Sequence, residues 1–118
     1  MALTDFISAL DRTNQLELGT VGRISGRETS RPVWFVRRDT TLYLLPVHGA
    51  ASDWYRNVVQ TPALRLTADG AGYDAAGSAI TDPTQVARVA DDFRDKYGAG
   101  DIAAHYQPPE VAVEVPLG

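Results

Sequence analysis

Cysteine is absent from the 118 residues. That excludes disulfides, thiol catalysis, iron–sulfur clusters and cysteine-ligated zinc, and it fits a reducing compartment. No apolar run approaches the eighteen residues of a membrane helix, and no basic-then-apolar leader is visible. The expectation is a cytoplasmic protein without an integral membrane segment. Walker loops, Gly-x-Gly-x-x-Gly and zinc-ligand spacings are missing too, so no metal site and no dinucleotide fingerprint are expected. The two histidines lack hydroxyl or carboxylate partners at any motif spacing, which leaves a Ser-His-Asp hydrolase without support.

A chain of this length has room for one hydrophobic core, so residues 1–118 are expected to form a single domain. The net charge of −4 is unevenly spread. From Arg23 to Arg38 five arginines face the single Glu28, whereas from Asp69 to Asp101 seven acids face three bases. Nucleic acid demands a broad positive field, and none is present, so no nucleic-acid partner is expected. A short basic strip on an acidic chain suits a small anionic ligand, or else a solvated sheet edge protected from aggregation.

Periodicity orders the elements. Leu3 to Asn14 reads as a helix with Thr4 as cap and Phe6, Ile7 and Leu10 on one face. Leu16–Arg23 reads as a strand, and Pro32–Val36 as a second with its proline at an edge or first position. Asp39-Thr40 reverses the chain into Leu42–Leu45. After the loop His48-Gly49-Ala50-Ala51, Ser52 is placed to cap a short helix that Pro62 stops near Gln60. Leu64–Thr67 and Gly72–Ile80 are strands joined at Asp69-Gly70. Asp82, Pro83 and Gln85 spell a helix start, and Val86, Val89, Ala90, Phe93 and Tyr97 trace its apolar stripe down to Gly98 and Gly100. Alternation at Val111, Val113 and Val115 makes the last strand. About six strands and three helices, with hairpin-length links, predict a mainly β fold, a small barrel closed by flanking helices.

Two clusters can carry chemistry. Gly19 to Arg27 sets three glycines, Ser25, Arg23 and Arg27 around one strand-to-turn junction, either an anion site or a decorated hairpin turn. His48-Gly49 followed by Trp54 and Asn57 offers an indole and an amide on one helical face. They would cover a planar heterocycle and meet its polar edge, or Trp54 is a core anchor.

Gly22-Arg23-Ile24-Ser25-Gly26, Pro32-Val33-Trp34-Phe35, Trp54-Tyr55-Arg56-Asn57-Val58 and Thr61-Pro62 together resemble the deazaflavin-dependent nitroreductase family. That group of split barrels is related to the FMN-binding split barrels of the pyridoxamine-phosphate-oxidase type. The resemblance implies a split β-barrel oxidoreductase using coenzyme F420, with FMN as the alternative. It would pass a hydride to a small-molecule acceptor such as a quinone, enone or nitroaromatic, or else bind the cofactor with little turnover. It places Arg23, Ser25, Gly26 and Arg27 at the phosphate, His48, Gly49 and Ala50 in the pocket wall, and Trp54 and Asn57 beside the ring. Tyr97 and Tyr106 fall where the family's C-terminal part supplies substrate-side tyrosines, and pairing as a homodimer is allowed. The family's lysine is Ile24 here and the loop before the Trp helix is short, so Arg27 or Arg31 would have to replace the missing cation.

Overall fold

A computed structural model describes residues 3–117; Met1, Ala2 and Gly118, the ends of the expected 1–118 domain, lie outside the described residues. Helix α1 (Leu3–Asp11) leads into β1 (Leu16–Val21) and β2 (Glu28–Val33). Then come β3 (Phe35–Arg38), β4 (Thr41–Leu44), a 3-10 turn at Gly49–Ala51 and α2 (Asp53–Gln60). Strands β5 (Ala63–Ala68), β6 (Ala71–Ala76) and β7 (Ser78–Ile80) precede α3 (Pro83–Tyr97), α4 (Ala99–His105) and β8 (Ala112–Pro116).

The strands form two four-stranded antiparallel sheets, in the orders β2-β1-β5-β6 and β3-β4-β8-β7. Only Trp34 separates β2 from β3, and only Gly77 separates β6 from β7. Each of these pairs is one chain run that bends from one sheet into the other. Six runs therefore close a ring of eight short strands. The expected strand count treated Pro32–Val36 and Gly72–Ile80 as unbroken, and the structure breaks each at its corner.

Alternation fixes which face is inside. On β8, Val113 and Val115 join Leu42, Leu44, Leu64, Leu66, Leu16 and Leu18 within the barrel. Ala112, one residue out of phase, joins Val36, Leu45 and Ile80 under Val86, Val89 and Phe93 of α3. Each fully buried leucine contributes about 1.5–3 kcal/mol over an exposed one. Helix α1 lies against β6, with Phe6 stacked on Tyr73 at 5.3 Å. The corner at Gly77 is tightly filled. A Cβ there would stand 3.0–3.1 Å from Val113, Leu64 and Val58, and the Gly77 amide donates to the Pro62 carbonyl at 2.9 Å.

Local signals fare unevenly. Asp82 caps α3 by accepting from the Gln85 amide at 3.0 Å, with Pro83 in the first turn. Asp69 and Gly70, at φ 47° and 81°, make the two-residue turn between β5 and β6. Thr4, however, lies inside α1, which ends at Asp11 rather than Asn14. Gly98, at φ 96°, ends α3 and at once starts α4, an unexpected helix that contains Gly100. Among the described residues no helix is long and apolar enough to cross a membrane.

Candidate functional site

Where the chain bends at Trp34, the barrel opens into a cavity of about 290 Å³. Trp34, Trp54, His48, His105 and Tyr106 supply its aromatic walls, and Arg31 its edge. Both histidines and both tryptophans of the chain thus border one space. The Trp34 indole lies flat on the Tyr97 ring, 4.4 Å away at 7°, with His105 edge-on at 5.8 Å and Tyr106 tilted at 6.0 Å. Such stacked and edge-to-face contacts each add about 0.5–1.5 kcal/mol and hold the rings in place.

Tyr97 is the fixed backing of this wall. Its hydroxyl accepts from the Phe35 amide at 3.0 Å and can donate to the Asn14 or Phe35 carbonyl, at 2.7 and 2.9 Å. Burial pushes its pKa up to about 12, against a smaller lowering by the Phe35 backbone. Tyr97 does not line the cavity; Tyr106 does, and burial, then Tyr97, raises its pKa above the ordinary phenol value.

A second cavity of about 260 Å³ adjoins the first and shares Arg31 and Trp54 with it. It is polar, with the hydroxyls of Thr20, Thr29 and Ser30 around Asp53 and Asn57. Arg31 comes from β2, an edge strand with no buried residue. Its guanidinium has no carboxylate partner among the described residues, whereas six other arginines each have one.

The Arg23 turn is arranged differently. Asn57, 6% exposed, accepts at Oδ1 from the Arg23 amide at 3.1 Å and the Arg23 guanidinium at 2.9 Å. Its Nδ2 donates to Thr20 at 3.3 Å, and Arg23 also meets Asp53 at 3.3 Å. These bonds tie the β1–β2 turn to α2. Within the turn Ser25 Oγ accepts from the Arg27 amide at 3.2 Å, Gly26 takes φ 71°, and Arg27 is exposed. Arg23, Ser25, Gly26 and Arg27 border neither cavity.

The loop before α2 is closed on itself. Ser52 occupies the cap position, but its hydroxyl accepts from the His48 amide at 2.9 Å rather than from the helix. The Ala50 amide donates to Glu110 at 3.0 Å, and that carboxylate packs against Gly49, where a Cβ would come within 2.6 Å of it. With φ 57° as well, position 49 favours glycine. The Gln107 amide donates to the Val47 carbonyl at 2.9 Å, so the segment after α4 straps over this loop and brings Tyr106 to the cavity.

Of the residues singled out by sequence, His48, Trp54 and Tyr106 meet at the aromatic cavity, and Trp54 and Asn57 at the polar one. Trp34 and His105 were missed, and Arg31 entered only as a substitute cation. A tryptophan directly after a Pro-Val step at a strand break, and an arginine on a strand without alternation, were the available signals.

A ring of six antiparallel runs bent between two sheets, with flanking helices and an aromatic cavity at one bend, defines the split-barrel class of flavin-binding-like folds. Solved structures of that shape match almost end to end. The heme storage protein HutZ from Vibrio cholerae is 16% identical, covering 100% of this chain and 92% of its own, with a TM-score of 0.72. A protein from Clostridium acetobutylicum related to general stress protein 26 of B. subtilis, of the pyridoxinephosphate oxidase family, is 12% identical over 98% and 82%, with a TM-score of 0.70. An F420-H2 dependent reductase, FDR-A, is 14% identical over 86% and 93%, with a TM-score of 0.67. At these identities the likeness is one of fold. No curated protein matches by sequence.

The chain itself belongs to the family described as "Uncharacterized protein conserved in bacteria (DUF2255)", whose profile matches residues 7–114. The sequence resemblance to deazaflavin-dependent nitroreductases therefore holds at the level of the wider split-barrel group, not as membership of that family.

Proposed function

We propose that this protein holds a planar, phosphate-bearing redox cofactor of the flavin or deazaflavin class and acts as a small-molecule reductase. The observation that carries the reading is Arg31, a cation without an acid partner at the join of an aromatic cavity and a hydroxyl-lined one. The residues fit such a group. Trp34 and Trp54 offer ring faces, while Arg31, Thr29 and Ser30 offer donors for a phosphate. Two exposed features oppose a longer acidic tail: Ile24 stands bare at the turn, and the Glu110 carboxylate already holds the Ala50 amide. A single-phosphate flavin is thus favoured over F420.

When bound, the cofactor supplies hydride transfer to an electrophilic acceptor such as a quinone, enone or nitroaromatic. The chain orients it, keeps water from its ring face, and delivers a proton from the cavity wall. Tyr97, committed to backbone groups, keeps Trp34 in place, and Tyr106 or His105 stands nearer to an acceptor. A homodimer covering the exposed β2 strand would complete the open side of both cavities and protect that edge.

The test is a fluorescence titration with FMN, riboflavin and F420, followed by a menadione assay with each reduced cofactor. FMN is expected to bind at least about tenfold more tightly than riboflavin, the worth of a charged hydrogen bond. Equal affinities would remove the phosphate site. Tight binding without menadione reduction would leave a carrier and remove the reductase.

A further inference from the structure

A cavity of about 520 Å³ that Phe35 helps to line lies between α1, β3 and α3. Lys96 projects into it. It is the only lysine of the chain, against ten arginines. Its amine donates to the Phe35 carbonyl at 2.8 Å and lies 3.6 Å from the centre of the Phe35 ring. No carboxylate pairs with it among the described residues. The neighbouring charges cancel in pairs instead: Asp11 with Arg37 at 2.8 Å, and Asp92 with Arg38 at 2.6 Å. Asp95, one residue before Lys96, lines the same cavity and has no ion-pair partner among the described residues.

We propose that Lys96 is a covalent binding site for small uncharged aldehydes, captured as an iminium whose nitrogen stays on the Phe35 ring. Each part of the cavity serves that chemistry. Desolvation first, opposed by Asp11 and joined by Arg37, lowers the amine to about 8, so a useful share is neutral near pH 7.5. The remaining charges lining the cavity are the two closed pairs and Asp95, which give no positive field to draw in an anion. The neutral amine adds to the carbonyl carbon; the C–N bond forms as the C=O π pair moves to oxygen, and the nitrogen gives up one proton to that oxygen through solvent. Water then leaves with the C–O bonding pair, its second proton supplied by solvent, and the nitrogen lone pair forms the C=N bond. No oxidant or reductant is consumed.

The ring and carbonyl of Phe35 explain why an iminium suits this place. A cation on an aromatic face is stabilised, and an iminium keeps both the charge and one N–H for the Phe35 carbonyl. Acylation would remove the charge and leave the ring without its cation.

Propanal with sodium cyanoborohydride at pH 7.5 tests the proposal, since reduction fixes any iminium and peptide mass mapping separates Lys96 from the N-terminal amine. Lys96 of the folded chain is expected to alkylate about tenfold or more faster than Nα-acetyl-lysine amide in the same vessel, given ordinary lysine near 10.4. In urea that advantage should vanish. Folded Lys96 reacting no faster than the free amide, or equally fast in urea, would overturn it.

Discussion

Two arginines eight positions apart serve different ends. Arg31 borders both cavities without a partner, so Arg31→Ala should weaken FMN binding by about 1.5–3 kcal/mol, roughly 10- to 150-fold. The urea midpoint should stay in place. Arg23 holds Asn57 and Asp53; Arg23→Ala should therefore cost about 1–2 kcal/mol of stability, read as a lower urea midpoint. A midpoint shift for Arg31 and none for Arg23 would reverse these roles. The sequence named the basic strip but not that Arg23 is paired and Arg31 is not, because pairing across 30 residues leaves no local trace. On α2, Val58 is buried while its neighbour Val59 is 57% exposed. Trp54, 5% exposed, belongs to the core and to the cavity wall at once. Trp54→Leu should cost about 2 kcal/mol in a urea titration and also weaken FMN. Both tryptophans border the ligand space, so Trp34 fluorescence should still be quenched in that variant.

At the scale of elements, the corners decide both the fold and the site. Periodicity located nearly every strand and helix, since burial on alternate residues or on one helical stripe is written locally. It did not locate the bends, because a bend depends on what the two sheets press against it. Gly77 is the clearest case. Its place between β6 and β7 looks like any strand glycine, yet three side chains would have to give by a few tenths of an ångström to admit a methyl group. Gly77→Ala should destabilise by about 1–3 kcal/mol through overpacking, read as a lower urea midpoint at unchanged slope. An unchanged midpoint would mean that Leu64, Val58 and Val113 yield easily. The opposite corner carries Trp34, where a large ring faces the opening. Helix α4 was invisible for a related reason: Gly98 and Gly100 read as stops, and only packing of Ile102 under α3 makes the second helix worthwhile.

Across the whole molecule, ionisation couples to stability in the alkaline range. Lys96 titrates near 8 when folded and near 10.4 when unfolded, so between those values the unfolded chain holds more protons. Stability should rise with pH through that window. Tyr97 behaves oppositely: raised to about 12, its contribution is whole below pH 10 and is lost between 10 and 12. Tyr106 adds to that loss in the same direction. Urea midpoints should therefore climb from pH 8 towards 10 and fall beyond it, and Tyr97→Phe should soften the fall. A steady decline from pH 8 upward would contradict the Lys96 part.

The place of β8 also sets when the protein can become a protein. Made after every other strand of the barrel, it is seated between β4 and β7, pairing Val115 with Leu42 and Val113 with Ala79. During synthesis the unclosed ring before it carries Leu42, Leu44 and Leu64 towards an open side, where they are exposed until β8 arrives. Closure joins residues some seventy positions apart, so it is the slow, non-local event. Ribosome-bound chains stopped before residue 112 should be cut readily by protease, and chains carrying β8 on a linker that clears the exit tunnel should resist all at once.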